Sequence, residues 1–257
     1  MNIHKDVKIK NRKGNKCIYC SEKSTDGDHV VCRNLFPEKG KGLSLIKVPS
    51  CRSCNFGLSK DEEFFRLFIA GASLDWSEKA SIVFNTSVKR QIREKPILGV
   101  KQFNKMKLID LKTNSGIYTG EKATAQYVSK EDWERCHRVI AKTIKGLLYT
   151  IHGYVIADDN FEMVTTLGWD DTIKQFLPFL EYFEPSEYRG IFIFAYAMTS
   201  DAAPVSVWFT SYYDRITFCT FVRKKGSFPK MKLSSKNFVL DLLEKDKTGL
   251  IKHDKKS

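Results

Sequence analysis

Two Cys-x-x-Cys pairs near the start of the 257-residue chain have the residue types and the spacing of a metal site. Cys17 and Cys20 form the first pair, and Cys51 and Cys54 form the second. Each pair presents two thiolates from a tight turn, and two such turns can complete a tetrahedral shell around one ion. The spacing predicts a structural Zn²⁺ held by these four cysteines.

A second set of polar residues lies in or next to the segment between the two pairs. Asp28 and His29 are adjacent, and Asn55 follows Cys54 directly. Carboxylate and amide oxygens suit a hard divalent ion, and a neutral imidazole can take a proton from water near neutral pH. Hydrolysis of a phosphodiester needs an activated water and charge relief in the transition state, which such a set of groups could supply.

Short elements must bring these side chains to one point. A turn at residues 25–27 precedes a short strand that begins at Asp28, and residues 43–48 form a second extended stretch. Because adjacent residues on a strand point to opposite faces, Asp28 and His29 can address one site only if the strand ends or twists there.

The order of these residues resembles a known family. The chain resembles the zinc-bearing branch of the HNH endonucleases. The resemblance is carried by four segments in this order: Cys17-x-x-Cys20, Asp28-His29-Val30, Val48-Pro49-Ser50-Cys51-x-x-Cys54-Asn55, and SKDEEFFR at residues 59–66. The resemblance implies a ββα-metal fold in which Asp28 and Asn55 hold a catalytic Mg²⁺ or Mn²⁺. It also implies that His29 is the general base and that zinc holds the outer loops.

Two positions depart from the family pattern. The middle asparagine has no counterpart, and the nearest match is Ser44, whose hydroxyl cannot both donate and accept as an amide does. Cys32 stands near a position where relatives often carry proline. The change at Ser44 motivates an alternative interpretation, a non-catalytic zinc module that binds nucleic acid.

The formal net charge of +13 is concentrated at the two ends of the chain. Residues 1–60 hold 13 Lys and Arg against 5 Asp and Glu, and residues 223–257 hold 11 against 4. This distribution favours a polyanionic partner, although a solvated Lys-rich surface is the alternative. Together with the family resemblance it makes double-stranded DNA the leading candidate. The cations that could contact phosphates are Arg33, Lys47, Arg52 and Lys60, although ordinary solvated charges are the alternative for each of them.

Residue patterns also predict the other elements. Ser59 and Glu62 form a capping box that opens a helix. Further helices are expected at residues 77–94 and 130–152 and, near the C-terminus, at 235–245, and a hairpin is expected from 105–111 and 117–128. Aromatic and β-branched residues predict strands at 190–198, 205–212 and 216–222.

Together these patterns predict an α+β protein. We expect a zinc-stapled ββα-metal (HNH) module at residues 1–72 and a larger α+β domain with a mainly antiparallel sheet at 73–257. The second domain could select substrate, dock a protein partner or a second copy in a homodimer, or regulate the first. An odd cysteine total, with Cys32, Cys136 and Cys219 outside the metal set, argues against a disulfide framework. No apolar run is long enough to cross a membrane and no export signal is found, so a cytoplasmic location is expected.

The leading hypothesis is a metal-dependent HNH endonuclease that hydrolyses DNA, in settings such as restriction or phage defence. The alternative is the non-catalytic nucleic-acid binder. A third interpretation gives the main role to the aromatic C-terminal half, as a docking or ligand-sensing domain.

Overall fold

The computed structural model describes residues 14–113, 115–156, 161–167, 180–183, 188–198 and 205–225. These residues form helices and antiparallel sheets, in agreement with the predicted mixed fold. The strands are β1 (Asp26–His29), β2 (Lys47–Ser50), β3 (Met106–Lys112), β4 (Tyr118–Gln126), β5 (Phe161–Leu167), β6 (Glu181–Phe183), β7 (Phe192–Met198), β8 (Ser206–Tyr212) and β9 (Ile216–Lys224). The α-helices are α1 (Arg52–Gly57), α2 (Ser59–Ala72), α3 (Glu78–Val83), α4 (Lys89–Glu94), α5 (Pro96–Phe103) and α6 (Lys130–His152).

The described residues fall into two compact units. Residues 14–91 and 130–225 belong to the first unit, and Ile92–Ser129 to the second, which contains α5 and the predicted β3–β4 hairpin. The two Cys-x-x-Cys pairs therefore share a unit with α6 and with strands β5 to β9. The predicted boundary after residue 72 separates a nuclease module from an accessory domain by function, and it stays a prediction.

A five-stranded antiparallel sheet forms the aromatic part of the first unit. Its strand order is β5-β9-β8-β7-β6, and the three late strands predicted from their aromatic and β-branched residues are confirmed as β7, β8 and β9. Helix α2 packs on this sheet through Phe65, whose ring centroid lies 5.1 Å from that of Tyr212 and 6.0 Å from that of Phe218. The sheet thereby provides the apolar surface that α2 needs to bury its own face.

Helix α6 is the longest helix among the described residues and follows the predicted range. It ends before Gly153, whose φ of +79° suits a residue without a side chain. The buried positions include apolar residues such as Ile140 and Leu147, but also Lys142. This helix therefore contributes both apolar packing and a buried cation to the first unit.

Strands β1 and β2 form a hairpin with four paired residues on each strand. Asp26 lies opposite Ser50, and His29 lies opposite Lys47. Two tyrosines from the C-terminal part of the unit bond to the chain between these strands. The Tyr188 hydroxyl accepts from the Ile46 N–H at 2.7 Å, and the Tyr213 hydroxyl donates to the Leu35 carbonyl at 2.6 Å.

Three predictions about helices have different outcomes. The capping box is wrong, because α1 ends immediately before α2 and Leu58 occupies the N-cap, which leaves the Ser59 hydroxyl to donate to the Phe56 carbonyl. The helix predicted at 77–94 is interrupted by a π-helical turn at Phe84–Val88 between α3 and α4. The helix predicted at 235–245 lies outside the described residues, as do residues 1–13.

Among the helices of the described residues, none combines the length and the apolar character that crossing a bilayer requires.

The contact between α6 and Val30, the residue that follows β1, gives a test of packing. A Cβ atom on Gly146 would lie 2.9 Å from Val30 Cγ2, which is too close for a carbon contact. Overpacking costs about 1–3 kcal/mol and the better helix propensity of alanine returns about 1 kcal/mol, so Gly146→Ala should lower the free energy of unfolding by roughly 1 kcal/mol. Urea denaturation measures this difference.

Gly71→Ala is the matched control, because its Cβ would meet Phe84 Cε2 at an ordinary 3.7 Å. We expect this variant to be as stable as the wild type or more stable. Equal stability of the two glycine variants would contradict the close contact between α6 and Val30.

Candidate functional site

The four predicted cysteines come together. The sulfur atoms of Cys17, Cys20, Cys51 and Cys54 all lie within 4.8 Å of one another, and those of Cys20 and Cys51 are 3.6 Å apart. Sulfur atoms at these separations can surround one tetrahedral ion, and an all-thiolate donor set suits zinc. The prediction of a four-cysteine metal site, compatible with zinc, is confirmed.

Hydrogen bonds to the sulfur atoms favour their thiolate forms. The Tyr19 N–H donates to Cys17 Sγ and the Cys54 N–H donates to Cys51 Sγ, each at 3.4 Å. The Ser53 hydroxyl, 3.1 Å from Cys51 Sγ, acts with the Cys54 N–H to lower the pKa of Cys51 to about 6. Burial and then the neighbouring cysteines raise the pKa of Cys54. A bound dication would relieve the repulsion that four thiolates otherwise exert on one another.

Strand β1 separates the two adjacent candidate residues. Asp28 is buried, whereas His29 is only half-buried and has Lys47 as its partner on β2. This is the ordinary alternation of a strand, with successive side chains on opposite faces. Asp28 and His29 therefore have different surroundings although they are neighbours in sequence.

The Asp28 carboxylate forms an ion pair with a lysine from the C-terminal part of the unit. Lys142 Nζ on α6 lies 2.7 Å from Asp28 Oδ2 and 2.6 Å from Glu62 Oε1 on α2. The side chains of Lys142 and Asp28 are only 5% and 7% exposed, and that of Glu62 is 20% exposed. Buried charges need partners of this kind, because water no longer solvates them.

Burial and charge act in opposite directions on these groups. Burial raises the pKa of Asp28 to about 6 although the Lys142 ammonium opposes the shift. Burial by itself would lower the pKa of Lys142, but the carboxylates of Glu62 and Asp28 hold it above its usual range. Lys142 is therefore charged at neutral pH.

Asn55 has a different partner. Its Nδ2 atom donates to Asp26 Oδ2 at 3.1 Å at the exposed side of β1, and its backbone N–H donates to the Cys51 carbonyl at 3.0 Å within α1. The amide thus links the second cysteine turn to the first residue of β1.

The divalent ion implied by the family resemblance would require oxygens of Asp28 and Asn55 at one point. The Asp28 carboxylate instead lies inside the unit against Lys142, and the Asn55 amide lies on exposed Asp26. In this arrangement the two residues do not fit a shared Mg²⁺ or Mn²⁺.

His29 lines an open cavity of about 610 Å³. The cavity contains four Lys or Arg side chains and one Glu, and its lining residues are His29, Arg33, Glu38, Lys39, Gly40, Lys41, Gly42, Leu43, Ser44, Leu45 and Lys47. Three of the predicted site residues, His29, Arg33 and Lys47, are thereby brought together. The excess of cations makes the cavity suitable for an anion.

The loop that forms much of the cavity wall has an unfavourable backbone conformation. Glu38, Lys39 and Gly40 have φ values of 48°, 55° and 66°, and only glycine adopts this region freely. Leu45 packs closely against this loop, since a Cβ on Gly40 would lie 2.9 Å from Leu45 Cδ1. Such strain costs about 1 kcal/mol or more per residue and is concentrated at functional sites.

The pKa of His29 is lowered to about 4, first by burial and then by the nearby charges of Lys47 and Arg33. The imidazole is therefore uncharged at neutral pH and retains a lone pair that can accept a proton. An anion bound against Lys47 and Arg33 would offset their effect and raise this pKa towards neutrality.

Other candidate residues lie outside the cavity lining. Arg52 on α1 places its guanidinium 6.0 Å from the ring centroid of Phe56, and the Lys60 carbonyl on α2 accepts from Arg135 Nη2 at 2.6 Å. Sequence reasoning missed Lys142 and assigned Glu62 to a helix cap. The available signal was the position of Lys142 in α6, three residues after Val139 and four before Gly146, in a row that is buried.

Comparison with models of protein families, with curated proteins and with solved structures gave no match for this chain.

Metal analysis tests the cysteine site. We expect one zinc ion per chain in the purified wild type, and loss of that zinc in Cys20→Ser, because the remaining three thiolates no longer complete the tetrahedral shell. Thermal unfolding should also begin at a lower temperature in this variant, since metal binding contributes to folding.

Cys136→Ala serves as the control, because Cys136 is buried in α6 outside the cluster. It should retain the full zinc content. Zinc retained in Cys20→Ser, or lost equally in both variants, would contradict the four-cysteine site.

The surroundings of His29 predict a pH dependence. Its pKa of about 4 in the folded chain lies below the ordinary 6.5, so the unfolded chain binds more protons between these values. The free energy of unfolding of the wild type should fall as the pH decreases from 6.5 through 4, relative to His29→Gln, which cannot take up the proton.

Urea denaturation of both proteins across this range measures the difference, and any release of zinc in acid affects both alike. Parallel curves would mean that His29 is not held in its neutral form by the fold.

Proposed function

We propose that the protein is a nuclease of the HNH type that hydrolyses phosphodiester bonds in DNA, with His29 as the general base. The observation that carries the proposal is the position of an uncharged imidazole among the cations of an open cavity on the hairpin held by the cysteine cluster. The motif order in the sequence supports the same assignment.

The cavity supplies the groups that a phosphodiester needs. Arg33 and Lys47 can neutralise a phosphate, and Lys39 and Lys41 line the same cavity. In the proposed step His29 takes a proton from a water molecule, the water oxygen bonds to phosphorus, and the bond from phosphorus to the 3′-oxygen breaks as that oxygen takes a proton from solvent water. Binding of the phosphate raises the pKa of His29, so the base strengthens when the substrate is present.

The resemblance adds Mg²⁺ or Mn²⁺ to this proposal, and such an ion would supply charge relief in the transition state. Asp28 would reach it only after separation from Lys142, and Asn55 only after separation from Asp26. The assay should therefore measure activity with Mg²⁺ and with Mn²⁺ separately.

A non-catalytic protein that binds nucleic acid is the second candidate. The ion pair of Asp28 with Lys142 favours it, because this carboxylate is then used for structure. The basic cavity and the cysteine cluster are equally suitable for binding without cleavage.

Supercoiled plasmid incubated with the zinc-loaded protein and either Mg²⁺ or Mn²⁺ tests both candidates. We expect nicking by the wild type, and a rate about 10²–10⁴-fold lower in His29→Ala, which is the usual contribution of a general base. Agarose gel electrophoresis with time measures the rate.

His137→Ala is the matched control, because His137 lies on α6 and bonds to Thr165 rather than lining the cavity. Both variants must keep the zinc content of the wild type. Retarded mobility of the plasmid without nicking, under all ion conditions, would favour the binding protein and exclude the nuclease.

A further inference from the structure

The carboxylates of Asp28 and Glu62 converge on one cation, and that cation belongs to the protein. The Lys142 ammonium lies 2.7 Å from one and 2.6 Å from the other, in surroundings from which water is largely excluded. The Lys142 ammonium donates a charge-assisted hydrogen bond to Glu62, and its contact with Asp28 is an ion pair at a similar separation.

We propose that Lys142 occupies, beside Asp28, the place that a divalent ion would otherwise take, and that Asp28 is a positioning residue of the β1–β2 hairpin. This inference rests on the proposed function, because it concerns the metal requirement of that function. It goes further in assigning Lys142 of α6 as the cation that is permanently paired with Asp28.

The same helix provides further cations to the same region. Arg135 Nε and Arg138 Nε lie 2.9 Å and 2.7 Å from the two oxygens of Asp61, which precedes Glu62 in the first turn of α2. The cations of α6 therefore form ion pairs with the acidic first turn of α2, and Lys142 also forms one with Asp28 on β1. The ion pairs of Arg135 and Arg138 join α6 to the first turn of α2, next to the contact of Lys142 with Glu62.

Removal of the ammonium leaves a defined site. In Lys142→Met a neutral chain of similar length replaces the cation, so the buried Asp28 carboxylate and the partly buried Glu62 carboxylate lose their shared counter-charge. Carboxylate oxygens in that situation favour a hard divalent ion, such as Mn²⁺, which neutralises both.

Electron paramagnetic resonance of free Mn²⁺ measures binding to the full-length, zinc-loaded protein. We expect Lys142→Met to gain one Mn²⁺ site relative to the wild type, and Lys142→Met/Asp28→Asn to lose that site. The wild type and Asp28→Asn should bind Mn²⁺ equally, because Asp28 holds no divalent ion while Lys142 is present.

Two results would overturn the proposal. One is a Mn²⁺ site in the wild type that disappears in Asp28→Asn, and the other is a Lys142→Met protein with normal zinc content and circular dichroism that gains no site. If Lys142→Met does not fold, Mn²⁺ binding by the wild type is compared with binding by Asp28→Asn. Equal binding supports the proposal, and weaker binding by Asp28→Asn overturns it. None of these measurements involves DNA, so failure of the nuclease assay leaves this inference standing.

Discussion

The central physical constraint is that a hairpin of two four-residue strands cannot bury enough surface to be stable by itself. The cysteine cluster joins the chain before β1 to the turn that follows β2, and so fixes one end of the hairpin. Helix α6 supports its inner face through Val30 and the ion pair of Asp28 with Lys142. The metal site and the packing of α6 thus act on the same short element from different sides.

The alternation of β1 gives this element two electrostatic environments. Its inner face holds a carboxylate that is neutralised by a buried ammonium, and its outer face holds an imidazole kept uncharged by burial and by Lys47 and Arg33. On the inner face the Asp28 carboxylate already has a partner of opposite charge. On the outer face cations are in excess, and an anion is what would complete the balance. The outer face is therefore the side suited to an anionic ligand, and its cations help to keep the pKa of His29 low.

Features fixed by local spacing could be predicted from the sequence, and features fixed by distant partners could not. The cysteine cluster depends on two short turns, and α6 and the strands β7 to β9 depend on runs of apolar residues with regular periods, so these predictions are confirmed. Glu62 fits a capping box by its spacing, but it bonds to Lys142, which is 80 residues further along the chain. Asp28 likewise acquires its partner from α6, and a single sequence contains no rule that joins the two.

Contacts across the first unit bear on how far the N-terminal residues can act alone. Tyr188 bonds to the chain just before β2, Tyr213 bonds to the Leu35 carbonyl beside the cavity wall, and Lys142 reaches Asp28. Each of these contacts joins residues far apart in the chain, and each gives a polar or charged group a partner inside the unit. The positions of His29 and the cavity wall therefore depend on residues after 130, because those residues complete the hydrogen bonding and the charge balance of the hairpin. The residues that line the cavity all lie before residue 72, but their positions depend on contacts with residues of the whole first unit.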